Sequence, residues 1–348
     1  MKTVRRKLLN LIFVATLPLV LANTLLILSL GRELWRTTVE DIENVTNVLH
    51  DTVETSLEDT IIAYLRAKVE SATSIVAALD EGNGTPSGSE MAVVRERLSE
   101  LSVAESGYIY VVDETGRVVV HPDPTIIGDV IPETEPVKTQ LERREGYLEY
   151  IWQNSFEPAP EPKALYMLEY EPYDWIIAAT SYRNEFVQLV DSDRLADTLG
   201  AVSFNFEAYS TVVNRDGTFI AHPDYEGRNI DEFFQTPEYE RMENALFDSA
   251  VGEVRYSWPS RAGERRRPKL MYSRYLPDFD WAVATTVYLD SLRRPTVTRV
   301  VATVLFGFLF LALLTPISLR MSRSLTDPVS RLAEAAVKGA RYPTRRPH

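Results

Sequence analysis

With 348 residues and no cysteine, the chain excludes disulfides, thiolate metal sites and cysteine nucleophiles, and its length leaves room for two or three domains. Its formal net charge is −13, but residues 1–30 and 300–348 carry +4 and +5, which leaves −22 on residues 31–299. A surface that acidic argues against nucleic acid or anionic lipid as partners of the middle region.

Residues 8–30 and 300–319 contain no charged side chain, and each reaches the ~20 apolar residues that a bilayer core requires. Lys2, Arg5, Arg6 and Lys7 precede the first run. Arg320, Arg323, Arg331, Lys338, Arg341, Arg345 and Arg346 follow the second, against only Asp327 and Glu334. Basic flanks mark the cytoplasmic side, so the expected topology is two-pass, with both termini cytoplasmic and 31–299 outside. A cleaved signal peptide is the other reading of the first 30 residues, with Val20-Leu-Ala22 as its cleavage site. The apolar continuation from Asn23 to Leu30 favours an uncut anchor.

From Arg32 to about Leu79 there is neither proline nor glycine, and Trp35, Val39, Ile42, Val45, Leu49, Val53, Leu57, Ile61, Tyr64, Ile75 and Leu79 fall largely at steps of three or four. That pattern predicts one amphipathic helix of roughly 70 Å. Its stripe reads as a dimer seam or as a face packed along folded units, and both readings can hold in different stretches. Turn residues from Glu81 to Ser89 end the helix, and a shorter helix is expected from Met91 to about Leu101.

The rest of the outer region repeats. Tyr108-Ile-Tyr-Val-Val-Asp-Glu-Thr-Gly-Arg-Val-Val-Val-His-Pro-Asp123 returns 101 residues later as Tyr209-Ser-Thr-Val-Val-Asn-Arg-Asp-Gly-Thr-Phe-Ile-Ala-His-Pro-Asp224. Gly146, Tyr150, Trp152, Lys163, Tyr166, Asp174, Trp175 and Tyr182 recur 106 residues on, which places a net five-residue insertion inside the unit, where a loop tolerates it. Each copy reads as a hairpin turning at Gly116 or Gly217, then three more strands: about 146–153, 163–171 and 175–182, and again 252–258, 269–276 and 281–288. The Pro-rich 156–162 and the Arg-rich 261–268 fill the matching loops, and 183–200 links the copies, with a helix expected there. The fold class is therefore α+β: two five-stranded antiparallel sheets with flanking helices on one long helix, plus two transmembrane helices.

In this order of elements, "GYIYVVDETGRVVVHPD" with "YEPYDWIIAATSY", and "VVNRDGTFIAHPD" with "YLPDFDWAVATTVY", resemble the Cache domain, an extracytoplasmic relative of the PAS fold. Two in series over about 32–299 resemble the double Cache sensors of bacterial transmembrane receptors such as chemoreceptors, sensor histidine kinases and nucleotide cyclases. Residues 324–339, with Pro328 early and Gly339 late, resemble the first helix of a HAMP linker, although Asp327 stands where arginine is common. The expected organisation is a cytoplasmic N-terminus at 1–7, a span at 8–30, a stalk helix at 31–80 and a membrane-distal unit at 81–190. A membrane-proximal unit at 191–292, a second span at 300–319 and a partial HAMP linker at 320–348 complete it, so the chain reads as a fragment of a longer receptor. The resemblance implies an inner (plasma) membrane protein that binds a small molecule outside the membrane and signals as a homodimer.

Period two places Tyr150 with Trp152 on one strand face, as it does Tyr166 with Leu168 and Tyr170. The proximal equivalents are Tyr256 with Trp258, and Tyr272 with Arg274. Large rings with polar tips suit a small-molecule pocket as well as a core. The candidate ligand residues are Tyr110, Arg144, Tyr150, Trp152, Tyr166 and Tyr170 in the distal unit, and Tyr256, Trp258, Tyr272 and Arg274 in the proximal one. An organic acid would call for a cation facing the rings. Arg274 has the parity for it, whereas the distal unit must bring Arg143, Arg144 or Lys163 in from the rim, yet the resemblance puts the ligand in the distal unit. The arginine and tryptophan-tyrosine pattern by which some double Cache sensors read amino acids is not evident here. His121 with Asp123 and His222 with Asp224 read as anchors of the turn after the second strand rather than as a metal or acid/base pair, because no third ligand recurs beside them.

No nucleophile elbow, P-loop, paired glycosidase carboxylates or metal cluster stands out, so no catalysis and no cofactor is expected within residues 1–348. The alternatives are a membrane-anchored structural protein that uses the repeats as ligand-free spacers, and an enzyme whose catalytic domain follows residue 348.

Overall fold

The computed structural model describes residues 2–80, 82, 84–153, 159–233, 236–249, 251–259 and 265–340, without side chains for 2–16, 19, 236, 259, 293, 295, 296, 318, 319 and 321–340. Part of each long loop named above, the C-terminal 341–348 and the side chains of the HAMP-like stretch lie outside the described residues. The chain divides into two compact units, residues 42–287 and residues 1–41 with 288–348.

The larger unit contains both sheets. Helix α1, Lys2–Leu79, enters it at Ile42. Next come α2 (Ser89–Ser99), β1 (Tyr108–Asp113), β2 (Val118–Val120), α3 (Glu135–Arg143), β3 (Gly146–Trp152), β4 (Glu161–Tyr170) and β5 (Trp175–Tyr182). After a 3-10 stretch, Arg183–Leu189, the second copy runs through α4 (Ser192–Gly200), β6 (Ala208–Asn214), β7 (Phe219–Ala221), α5 (Thr236–Glu243), β8 (Val251–Pro259), β9 (Arg266–Leu276) and β10 (Trp281–Tyr288). The sheets have equivalent orders, β2-β1-β5-β4-β3 and β7-β6-β10-β9-β8. The interval expected to be one linking helix is thus a 3-10 segment followed by α4, whose start is capped by the Asp191 side chain accepting from Arg194 N.

Local chemistry explains the matching hairpins. Gly116 and Gly217 take φ of 78° and 81°, the left-handed turn position that favours glycine. Asp113 Oδ1 accepts from the backbone N of Thr115 and Arg117, and Asn214 Oδ1 accepts from Thr218 N, so the residue before each turn closes it with its own side chain. Before the last strand of each copy, Asp174 and Asp280 both sit at φ 52°, one of the few side chains that tolerates this region.

The α1 stripe is buried within this unit. Leu49, Val53, Leu57, Ile61, Leu65, Val69, Ala72 and Val76 are each at most 3% exposed, and they share one apolar cluster with Ile109, Val111, Tyr166, Ile177 and Ala179 of the first sheet and with Val212, Trp281 and Val283 of the second. At ~1.5–3 kcal/mol per large side chain, this stripe is the spine that joins the copies. The opposite face of each sheet has its own core, roofed in the first copy by α3 and the loop after β2 and in the second by α5.

In the smaller unit, α6 (Leu289–Ala340) meets α1 at Gly307, where an added Cβ would lie 2.7 Å from Val20 Cγ2. Leu289–Ile317 is the one helix among the described residues that is long and apolar enough to cross a membrane. Around it Leu305, Phe306 and Phe308, and on α1 Leu21 and Leu25, are more than half exposed.

Candidate functional site

The strand register decides which candidates meet. Tyr150 of β3 pairs with Lys163 of β4, Lys163 with Tyr182 of β5, and Thr180 of β5 with Tyr108 of β1. Directly opposed residues share a face, so even positions of β1, β3 and β5 and odd positions of β4 look toward α3. On that side Tyr108, Tyr110, His121, Val137, Tyr150 and Trp152 line a cavity of about 50 Å³. Of the six first-unit candidates, the structure brings together Tyr110, Tyr150 and Trp152.

The other three are elsewhere. Tyr166 and Tyr170 have even positions on β4 and therefore face α1, where Arg66 Nε donates to Tyr166 Oη at 3.0 Å and Tyr170 Oη donates to Asp80 Oδ2 at 3.0 Å. Arg144 is ion-paired with Glu169, six residues along β4 from Lys163 and so ~20 Å away. The same parity corrects the second copy: Tyr256 pairs with Lys269 and Trp258 with Arg267, whereas Tyr272 and Arg274 turn to the α1 side, with Arg274 donating to Asn47 Oδ1 at 3.1 Å.

The group that the sequence reading kept at the rim is central. Lys163 is 1% exposed, and its Nζ lies 4.1 Å from the ring centre of Tyr182 and 5.2 Å from that of Tyr108. Two ring faces hold a buried ammonium by cation–π attraction. Beside it, burial and the Lys163 charge hold the pKa of His121 below its ordinary value, while the contact with Asp123 opposes them, so the imidazole is neutral near pH 7. His121 Nδ1 accepts from Asp123 N at 3.0 Å, and Asp123 Oδ1 in turn accepts from Thr125 N at 2.9 Å. Burial pushes the Tyr110 and Tyr150 hydroxyls up, which keeps both as neutral donors, and Tyr150 Oη lies 2.8 Å from Thr180 Oγ1. Gln140 on α3 is fully buried with its amide beside the Tyr110 hydroxyl, whose rise it opposes, although neither amide atom reaches full hydrogen-bond geometry among the described residues.

The second copy cages its lysine with the equivalent of Tyr108 and with Trp258, and it fills the space. Lys269 Nζ donates to Tyr209 Oη at 3.2 Å and lies 4.9 Å and 5.6 Å from the Tyr209 and Trp258 ring centres. Burial lowers its pKa to about 8. Trp258 stacks on Tyr225 at 5.5 Å, with Phe233 at 5.0 Å and Phe219 at 5.7 Å. In the first copy Val118 and Pro124 stand where Phe219 and Tyr225 stand. Counting from the matched bridges Arg117–Val130 and Thr218–Asn229, Thr134 stands where Phe233 stands. Three small side chains in place of three rings leave the first copy its void.

A second, larger groove of about 740 Å³ runs past Arg95, Leu98 and Ile109 and shares Tyr108 and His121 with the small cavity, while Tyr182 lines it as well. Lys163 is thus separated from it by the two rings of its cage. Away from this site, His50, Asp51 and Glu54 on α1 bring ligand-capable atoms within 4.8 Å of one another, a grouping that the sequence reading did not single out.

The family model described as Cache domain matches residues 28–293. The chain belongs to the Cache domain family. Among solved structures, a periplasmic sensor domain of a chemotaxis protein is 25% identical, covering 34% of this chain and 93% of its own, with a TM-score of 0.30. A Vibrio parahaemolyticus methyl-accepting chemotaxis protein is 20% identical, covering 42% and 99%, with a TM-score of 0.31. The ligand-binding domain of a Campylobacter jejuni chemoreceptor, solved with 4-methylisoleucine, is 12% identical, covering 74% and 94%, with a TM-score of 0.34. The two sheets are accordingly the two Cache units of this chain.

Proposed function

We propose that this chain is the sensing part of a two-pass membrane receptor whose first, membrane-distal Cache unit binds a small organic anion. The observation that carries the reading is the contrast between the copies: both hold a caged, buried lysine, and among the described residues the first has a void lined by Tyr108 and Tyr150, which neighbour Lys163, where the second packs Trp258 against three rings. A carboxylate in that void would be attracted by the nearby Lys163 ammonium, and the Tyr110 hydroxyl that lines it would donate to the carboxylate. The void is worth one or two waters at ~30 Å³ each, so the ligand is either a carboxylate of very few carbons or one that displaces Tyr108 toward the outer groove.

In this reading residues 31–299 lie outside, the segments around 8–30 and 300–319 span the membrane, and the helix beyond 320 is the beginning of a HAMP linker to an output domain. Exposed Leu25 and Phe306 would then face lipid. The receptor works as a homodimer in this proposal. Signal passes from the distal sheet to β10 and on along α6, by no more than the ligand's preference between two packings.

The small size of the void favours a second reading, in which both units are ligand-free spacers. A thermal-shift screen of the full chain in detergent against formate, acetate, propionate, succinate and a set of amines separates them. Binding at 100-fold over Kd stabilises by about 2.7 kcal/mol, a rise of several degrees. Stabilisation by a carboxylate supports the sensor, and a flat response across the whole panel supports the spacer.

A further inference from the structure

Arg183 follows β5 directly, and three elements from both Cache units converge on its guanidinium. The side chain is 6% exposed. Its Nη1 lies 2.5 Å from Glu149 Oε2 on β3 and 2.9 Å from Asp278 Oδ2, in the 3-10 turn Pro277–Phe279 that leads into β10. Its Nη2 lies 3.7 Å from Glu58 Oε1 on α1, and its planar group covers the Phe279 ring at 4.9 Å.

This junction is not saturated. Nε and Nη2 have no acceptor within hydrogen-bond distance among the described residues. Glu58 therefore stands just outside bonding range, and a slide of α1 of the ~1–2 Å usual for helix shifts would bring it in. One cation faces three carboxylates, and Glu149 and Asp278 share its Nη1, so a displacement of the guanidinium toward Glu58 through Nη2 changes its hold on Asp278. The preceding residue, Tyr182, carries the Lys163 ammonium on its ring, so a movement at the cage reaches Arg183 through a single peptide unit.

We infer that Arg183 is the joint between the Cache units: a change at the Lys163 cage alters which carboxylate Arg183 holds, and Asp278 delivers that change to β10. The inference rests on the distal cage being where a signal starts. Its test uses cage substitutions as the input instead of a ligand, so a failed carboxylate screen would sink the sensor reading without touching this experiment.

Hydrogen exchange of residues 277–287 is followed by mass spectrometry in the full chain in detergent. Lys163→Met is introduced alone and together with Arg183→Met, with Tyr182→Leu as a second cage perturbation in case the first does not fold. The expected result is a cage-induced change in exchange of about tenfold at Pro277–Ala282 when Arg183 is present, falling to less than about twofold in the Arg183→Met background. Asp278→Asn cuts the same link and replaces Arg183→Met if that protein is unfolded by circular dichroism. An equal response in both backgrounds, or no response of 277–287 to either cage substitution, overturns the inference.

Discussion

His222 gives the sharpest quantitative test of the role assigned to the repeated histidines. Its Nδ1 accepts from Asp224 N at 3.0 Å and from Tyr225 N at 3.1 Å, so in the neutral ring the proton is on Nε2. The ring is 7% exposed, and burial, aided by the Lys269 charge, lowers its pKa to about 3 from the ordinary 6.5. Between those values the unfolded chain binds one more proton than the folded one. Stability therefore rises with pH across that window, is fully present above about 6.5, and is lost as pH falls toward 3. The slope starts at half of ~1.4 kcal/mol per pH unit at pH 6.5 and reaches the full value below it, so lowering the pH from 6.5 to 4.5 should cost on the order of 2 kcal/mol through this one ring. His222→Asn places an amide oxygen where Nδ1 accepts and removes the titration. The assay is thermal unfolding of the full chain in detergent, followed by tryptophan fluorescence, at pH 7 and pH 4.5. Wild type should lose about 4–8 °C more than His222→Asn over that interval. Parallel losses in the two proteins would mean that the buried neutral histidine is not what the turn depends on. The low pKa of Lys269 acts in a separate window, between about 8 and 10.5, and does not confuse the comparison.

Trp258→Ala should destabilise the chain by about 3–5 kcal/mol, since that ring is 3% exposed among three others, whereas Trp152→Ala at the half-buried cavity mouth should cost less than half as much in the same melt. Tyr166→Phe removes the bond from Arg66 and should cost ~1 kcal/mol without changing any carboxylate-induced thermal shift. A lost shift would return Tyr166 to the ligand site. Gly252→Ala should prevent folding of the second unit, because its Cβ would lie 1.7 Å from Ala245 O, and normal expression with a wild-type melt would show that the α5–β8 junction is looser than described.

The repeat made most of the architecture legible. Strand ends fall within two or three residues of expectation, because turn glycines, prolines and the Asp-Trp pair recur with the strands they bound. What failed was the relation between neighbouring strands. Parity within β4 correctly put Tyr166 and Tyr170 on one face, but whether that face matches Tyr150 depends on the register set by the β3–β4 loop, and nothing in the composition of 153–162 reports it. One residue of slip exchanges every side chain between the α1 face and the α3 face, which is why Arg274 looked like a ligand cation and is a helix contact. Lys163 was expected at the rim and Lys269 was not singled out for another reason: a lysine is ordinarily a surface residue, and only its recurrence 106 residues on, opposite a recurring tyrosine, signals a cage. The recurring Gly146 and Gly252 show the limit of repetition as evidence. The first is needed for a φ of 126° and the second for close approach of a carbonyl, so one letter answers two constraints.

The central claim, that the first Cache unit senses an organic anion through Lys163, is tested most directly by titration calorimetry of whichever carboxylate stabilises the wild-type chain. The titration is run on wild type, Lys163→Met and Lys269→Met. The account predicts that Lys163→Met abolishes binding while Lys269→Met leaves Kd within about threefold. Binding retained by Lys163→Met, or lost only in Lys269→Met, would contradict it.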